Sequence, residues 1–175
     1  MNLPRRVAPR LEELRDSFDS SFSRPPPPQQ EPGEALLRLR VGGISLAVRF
    51  NHLAGLHLMP KLVRLPGGPA SLLGLVGLRG QLIAVHDVAA LLGLSTGETP
   101  GWLLLVGGSR RVGLAASGFE GQLRATQQQM SPGGASALLG TRVLLPDLAP
   151  LPVLDVDALV RNLLETAAAP SRDGR

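Results

Sequence analysis

The chain has 175 residues, 18 of them basic and 14 acidic, and contains neither cysteine nor tyrosine. That length holds one domain, or two small halves around a shared core, and it folds without a disulfide or metal staple. A disulfide framework, a thiol nucleophile and cysteine-ligated metal are excluded, and one tryptophan with four phenylalanines is too few for a base-stacking platform.

The net charge is +4, and Lys61 is the only lysine. Residues 1–34 sum to −1, residues 35–166 to +4 and residues 167–175 to +1, so no segment is a basic arm. Arg5-Arg6 and Arg110-Arg111 are the only adjacent pairs, whereas a nucleic-acid binder concentrates such charge in a stripe. A small-barrel nucleic-acid-binding module is the alternative that the arginine excess leaves open. The run Trp102-Leu103-Leu104-Leu105-Val106 is far short of the roughly 20 apolar residues that cross a bilayer, and direct membrane insertion is not expected. The start, Met1-Asn2-Leu3-Pro4-Arg5-Arg6, lacks the apolar centre of a secretory signal, which makes the cytoplasm the expected location.

Residues 1–34 read as a polar, proline-rich leader. Leu11, Leu14 and Phe18 fall on one face of a short helix between Pro9 and Phe18, and Pro25–Pro28 form an extended spacer. Two readings stand side by side: a disordered leader, or a helical anchor on a semi-rigid tether.

From Ala35 the chain turns to short apolar runs punctuated by glycine and proline. Leu37, Leu39 and Val41 alternate with arginines; after Gly42-Gly43, Ile44, Leu46 and Val48 alternate again. A two-residue turn pairs Val41 with Ile44, Leu39 with Leu46 and Leu37 with Val48, which puts all six apolar side chains toward one core. Trp102–Val106 and Arg111–Ala116 around Gly107-Gly108-Ser109 predict a second hairpin. The segment Val85–Leu92 matches Val153–Val160 at five of eight positions, at an offset of 68. In each copy a strand runs into an aspartate, Asp87 or Asp155, placed to cap a short helix. These echoes predict two similar β-rich halves, each opening with a hairpin and closing with a strand and capped helix.

No phosphate loop, dinucleotide fingerprint, nucleophile elbow or HExxH motif is present. His86 and Asp87 are adjacent on a strand and point to opposite faces, so they do not form an acid–base pair without a bend. His52 and His57 make at best two metal ligands. Asp155 and Asp157 share a helix start, where the dipole favours negative charge. No catalytic, cofactor or metal site assembles, and the expected class is non-enzymatic with no cofactor. Arg79 stands apart: between Gly77 and Gly80, ahead of a buried strand, it either locks a loop, reaches a partner carboxylate or is simply surface.

Leu65-Pro66, followed by Gly74-Leu75-Val76-Gly77-Leu78-Arg79-Gly80-Gln81-Leu82-Ile83-Ala84-Val85-His86-Asp87-Val88, resembles the CheW-like domain of chemotaxis coupling proteins. Both hairpins and Leu154-Asp155-Val156 fall in the family's order, and the resemblance covers residues 35–166, leaving 167–175 as a tail. It implies an all-β fold of two small five-stranded SH3-like barrels with short helices. It also implies an adaptor that joins the tips of methyl-accepting chemoreceptors to the regulatory domain of a CheA-type histidine kinase. By resemblance, Leu53 and Leu56 meet the kinase, while Leu78, Arg79 and Gly80 organise a turn on the receptor side. The chain departs from the family pattern at Gly55 (usually Glu), Gly77 (usually Asn), Ala84 (usually Pro) and Ser117 (usually Asp), as a divergent member in a chemotaxis or pilus-type surface-motility system would.

Overall fold

The computed structural model describes residues 33–95, 97–108, 111–133, 136–146 and 148–168. The expected leader helix and the proline spacer lie outside these residues. Strand β1 (Glu34–Val41) turns at Gly42-Gly43 into β2 (Ile44–Arg49), and a single 3-10 turn at Phe50–His52 leads to β3 (Leu53–Leu58). Then come β4 (Leu72–Leu78), β5 (Gln81–Asp87) and the one-turn helix α1 (Val88–Leu91). The second half has β6 (Trp102–Val106), β7 (Val112–Ala116), β8 (Gly118–Ala125), β9 (Met130–Pro132), β10 (Thr141–Val143), β11 (Leu151–Leu154) and helix α2 (Val156–Ala168).

The first hairpin has the expected register: Val41 pairs with Ile44, Leu39 with Leu46 and Leu37 with Val48. Gly42 and Gly43 both adopt positive φ, 55° and 83°, the left-handed pair that a two-residue turn needs to match the strand twist. Five of the six apolar residues are buried, but Ile44 is 37% exposed beside the turn. Leu36 and Ala47, on the other face of the same strands, are fully buried as well. The hairpin is therefore sandwiched, not half-buried. The second hairpin pairs Trp102 with Ala116 through Val106 with Val112, and is buried on both faces in the same way. Burial on both faces is why Trp102–Val106 is a continuous apolar run and not an alternating one.

The strands form two mixed sheets, of six strands in the order β8-β1-β2-β11-β10-β9 and of five in the order β3-β6-β7-β5-β4. Neither order closes on itself, yet the mainly β build of two sheets with a few short helices agrees with the expected fold class. The halves also exchange their hairpins. β1–β2 sits between β8 and β11 of the second half, β2 and β11 running parallel, while β6–β7 sits between β3 and β5 of the first, β5 and β7 running parallel. Each sheet is thus built from both copies of the repeat.

Three apolar layers follow from this arrangement. A central core of Leu39, Val41, Leu46, Val48, Leu104, Val106, Leu114 and their neighbours lies between the sheets and is closed by α1 and α2 through Val88, Val156 and Leu159. One outer layer, around Leu36, Ala47, Val143 and Val153, belongs to the six-stranded sheet; the other, around Val76, Ile83, Val85, Leu103 and Leu105, belongs to the five-stranded one. Helix α1 stops after one turn because Gly93 takes a left-handed φ of 67°. Helix α2 continues for 13 residues on the apolar stripe Val156, Leu159, Val160 and Leu163, longer than its counterpart in the first half.

Candidate functional site

The β4–β5 connection contains only two residues, Arg79 and Gly80, between paired Leu78 and Gln81. Their φ angles are 50° and 77°. This is the tight left-handed turn that fits strand twist, but an L side chain in that region costs about 1–2 kcal/mol. Among the described residues Arg79 is the only non-glycine residue with positive φ. It is exposed, and no described residue offers its guanidinium a hydrogen bond or ion pair. Leu78 roots the turn by packing on the layer around Val76 and Ile83.

The surface beside this turn is apolar and basic. Gly77 pairs with Leu82 and Leu75 with Ala84, while Val63 forms an antiparallel bridge to Leu75 with both N–O distances 2.8 Å. Val63, Leu75, Ala84 and Leu82 therefore occupy one face. Leu82 is 78% exposed and Val63 62%; Leu58, at the end of edge strand β3, is 71% exposed. No acidic residue occurs between Ala35 and His86. Of the cations in that span, Arg38 and Arg40 pair with Glu120 and Arg49 with Glu34, whereas Lys61, Arg64 and Arg79 have no ion-pair partner among the described residues.

Leu53 and Leu56 occupy β3 opposite Val106 and Leu104, and both are half-buried against the central core. The outward positions of that strand are Ala54 and Leu58. The structure thus gathers Leu78, Arg79 and Gly80 at one turn and places Leu53 and Leu56 on the opposite edge strand of the same sheet. Gly55 is half-buried, and a side chain there would meet the His57 ring; Gly77 has open space around it. Ser117 binds the Arg40 carbonyl oxygen through both its backbone N–H, at 3.0 Å, and its hydroxyl, at 2.9 Å.

The two aspartates hold helix starts. Asp87 accepts from the Ala89 N–H at 2.9 Å, and Asp155 from the Ala158 N–H at 2.9 Å. His86 is partly buried between Leu72 and Leu114; burial lowers its pKa below the ordinary histidine value, and its Nδ1 has no hydrogen-bond partner. His52 Nδ1 lies 3.2 Å from Asp157 Oδ1, which ties the entrance of β3 to the first turn of α2. No group of three or more metal-ligating side chains occurs among the described residues, and no described helix is long and apolar enough to cross a membrane.

The sequence reading did not single out Leu82, Val63 or the cluster around Glu120. For Leu82 the signal is parity: Ile83 and Val85 face a core, so Leu82 faces away. For Glu120 there is no such signal, because a bulge sets its direction.

The family model described as the CheW-like domain matches residues 35–164. Among solved structures, the chain is similar to the scaffolding protein TtCheW from Thermoanaerobacter tengcongensis, with 13% sequence identity and a TM-score of 0.64 over 71% of this chain and 90% of that one. No curated protein matches it in sequence. The likeness is one of fold, and the family model spanning most of the chain shows that it belongs to the CheW-like domain family.

Proposed function

We propose that the protein is a non-enzymatic cytoplasmic adaptor that couples the tips of methyl-accepting chemoreceptors to the regulatory domain of a CheA-type histidine kinase, in chemotaxis or in pilus-driven surface motility. Arg79 carries the reading. Its left-handed backbone costs stability, glycine would fill the turn without strain, and its guanidinium serves no described residue. A side chain kept at a cost to folding and turned to solvent is kept for something outside the chain. Leu82 and Val63 supply apolar area beside it, and the acid-free span from Ala35 to His86 favours an acidic partner. Leu78 and Gly80 organise the turn, while Leu53 and Leu56 support the β3 edge toward the kinase, with Leu58 as its exposed end.

Titration of the full chain with the kinase regulatory domain, and separately with a receptor-tip helical hairpin, tests this. Saturable binding to at least one is expected, weakened by Leu82→Asp. Absence of binding to both, or unchanged binding by the Leu82→Asp variant, overturns the proposal or its placement on this surface.

A further inference from the structure

Each of the two sheets has two edges, and among the described residues all but one of these edges are guarded. On β4, Val63 takes both the N–H and the C=O that Leu75 turns outward. On β8, Arg38 pairs with Gly121 and the next residue, Leu39, with Phe119, so Glu120 forms a bulge, and the strand carries Arg124 as well. β9 is three residues long and ends in Pro132. Bulges, charge, proline and short length are the devices that keep an edge from pairing with another chain. The remaining edge, β3, contains no acidic residue, lysine, arginine or proline. Its one irregularity is the bulge at Ala54, which leaves residues 55–58 in regular pairing with β6.

The open side of this stretch is symmetric about His57. The Met59 N–H donates to the Gly101 carbonyl at 2.9 Å, on the β6 side. Alternation along the strand then turns the N–H and C=O of Leu56 and Leu58 to the open side, where no described residue offers them a partner. A second β3, antiparallel and related by a two-fold axis at His57, pairs Leu56 of each copy with Leu58 of the other and satisfies all of these groups. Directly paired residues share a face, so both Leu56 and both Leu58 side chains meet in one cluster. That cluster extends the central layer on which Leu56 already packs, and it covers Leu58, which is 71% exposed in the single chain. Charge also favours a second copy here. Two β3 edges meet without repulsion, whereas the opposite side of the sheet, with Arg64 and Arg79 unpaired, repels its own copy.

We infer that the chain self-associates through β3 into a two-fold dimer, the five-stranded sheets of the two copies joining edge to edge. The inference does not rest on the adaptor reading, although a chain paired in this way hides the β3 edge from a kinase.

Sedimentation of the full chain from about 1 to 300 µM tests the association. A contact of this size predicts a reversible dimer with a Kd of about 10–100 µM. Leu58→Lys, at an exposed position, should leave the fold intact and weaken the dimer by roughly tenfold or more. The register has its own readout, because the chain contains no cysteine. The two-fold axis puts the His57 Cα atoms of the two copies about 4.5 Å apart, within disulfide reach, and the Leu58 Cα atoms about 9 Å apart, beyond it. Under mild oxidation His57→Cys should form a disulfide-linked dimer, and Leu58→Cys should stay unlinked. A chain that remains monomeric to about 300 µM overturns the inference, as does a dimer unaffected by Leu58→Lys. Linking of Leu58→Cys in preference to His57→Cys also overturns it, since the copies would then meet in another register.

Discussion

The indole of Trp102 and the ring of Phe119 form a tilted pair, centroids 5.4 Å apart and planes at 54°, and they belong to different sheets. Trp102 begins β6 of the five-stranded sheet, and Phe119 lies in β8, an edge of the six-stranded one. The chain crosses between the sheets within one residue, Ser117, whose N–H and hydroxyl both reach the Arg40 carbonyl. The ring pair thus closes the seam where consecutive strands part company. Phe119→Ala should lower unfolding stability by about 1–2 kcal/mol, less than a core phenylalanine because the ring is 38% exposed. Urea unfolding measures it, and a loss below about 0.5 kcal/mol would show that the rings do not hold the seam.

Gly74 and Gly77, three residues apart on β4, should respond oppositely to substitution. Gly74 has a φ of 147°, and a side chain there would run into the Val63 carbonyl oxygen. Gly74→Ala should therefore break the Val63–Leu75 bridge and cost about 2 kcal/mol or more. Gly77 has no atom within 4 Å of the position a side chain would take, and its φ is not left-handed. Gly77→Asn should change stability by no more than about 0.5 kcal/mol. Paired thermal melts decide between them; equal losses would contradict the packing around Gly74.

What the sequence reveals of this fold depends on how local the cause is. The Gly42-Gly43 turn fixes the pairing of Val41 with Ile44, and the match between Val85–Leu92 and Val153–Val160 points to two related strand-to-helix units. Turn chemistry and periodicity act over a few residues, so they can be read directly. The exchange of hairpins cannot. Leu154 pairs with Val48 and His86 with Leu114, contacts between the two halves that put Leu154, Val48 and Leu114 into one central layer and that neither strand's local pattern specifies. Ile44 belongs to the right alternation yet stays 37% exposed, although its partner Val41 across the turn is buried in the central layer. At the candidate site the glycine-flanked setting of Arg79 was visible, but its backbone strain, and the exposure of Val63 through a bridge outside the main strands, follow only from tertiary pairing.

His86 makes stability depend on pH in a defined window. Burial lowers its pKa from the ordinary value of 6.5, so the folded chain resists taking a proton that the unfolded chain accepts. Its neutral form costs nothing above that value. As pH falls below it, the unfolded state gains a proton first and stability declines until the lower folded pKa is reached. Glu120 acts further down: the hydrogen bond from Ser45, then the contact and charge of Arg40 and the charge of Arg38, hold its carboxyl below 4.5 against the opposing effect of burial. Its contribution is intact above 4.5 and is lost as pH falls through its folded value. Melting temperature should therefore drop as pH falls through and below the ordinary histidine value of 6.5, and His86→Leu should flatten that drop. An identical slope in the variant would assign the effect to another group.

Replacing Arg79 separates folding from partner contact in a single residue. At a φ of 50°, the change Arg79→Gly relieves about 1 kcal/mol of backbone strain, offset in part by the greater freedom glycine gives the unfolded chain. It breaks no hydrogen bond or ion pair to a described residue. The melting temperature should stay level or rise slightly. Arg79→Ala keeps the strained backbone and removes the guanidinium, so it should be no more stable than the parent. If the side chain is retained for a partner, both variants should weaken binding to the kinase domain or the receptor hairpin by a similar factor, on the order of tenfold for one charge-assisted contact. Parallel titrations and melts of the two variants read the two effects apart. Unchanged binding in both would make Arg79 a tolerated surface residue, and a large loss of stability in Arg79→Gly would mean that the guanidinium serves the fold itself.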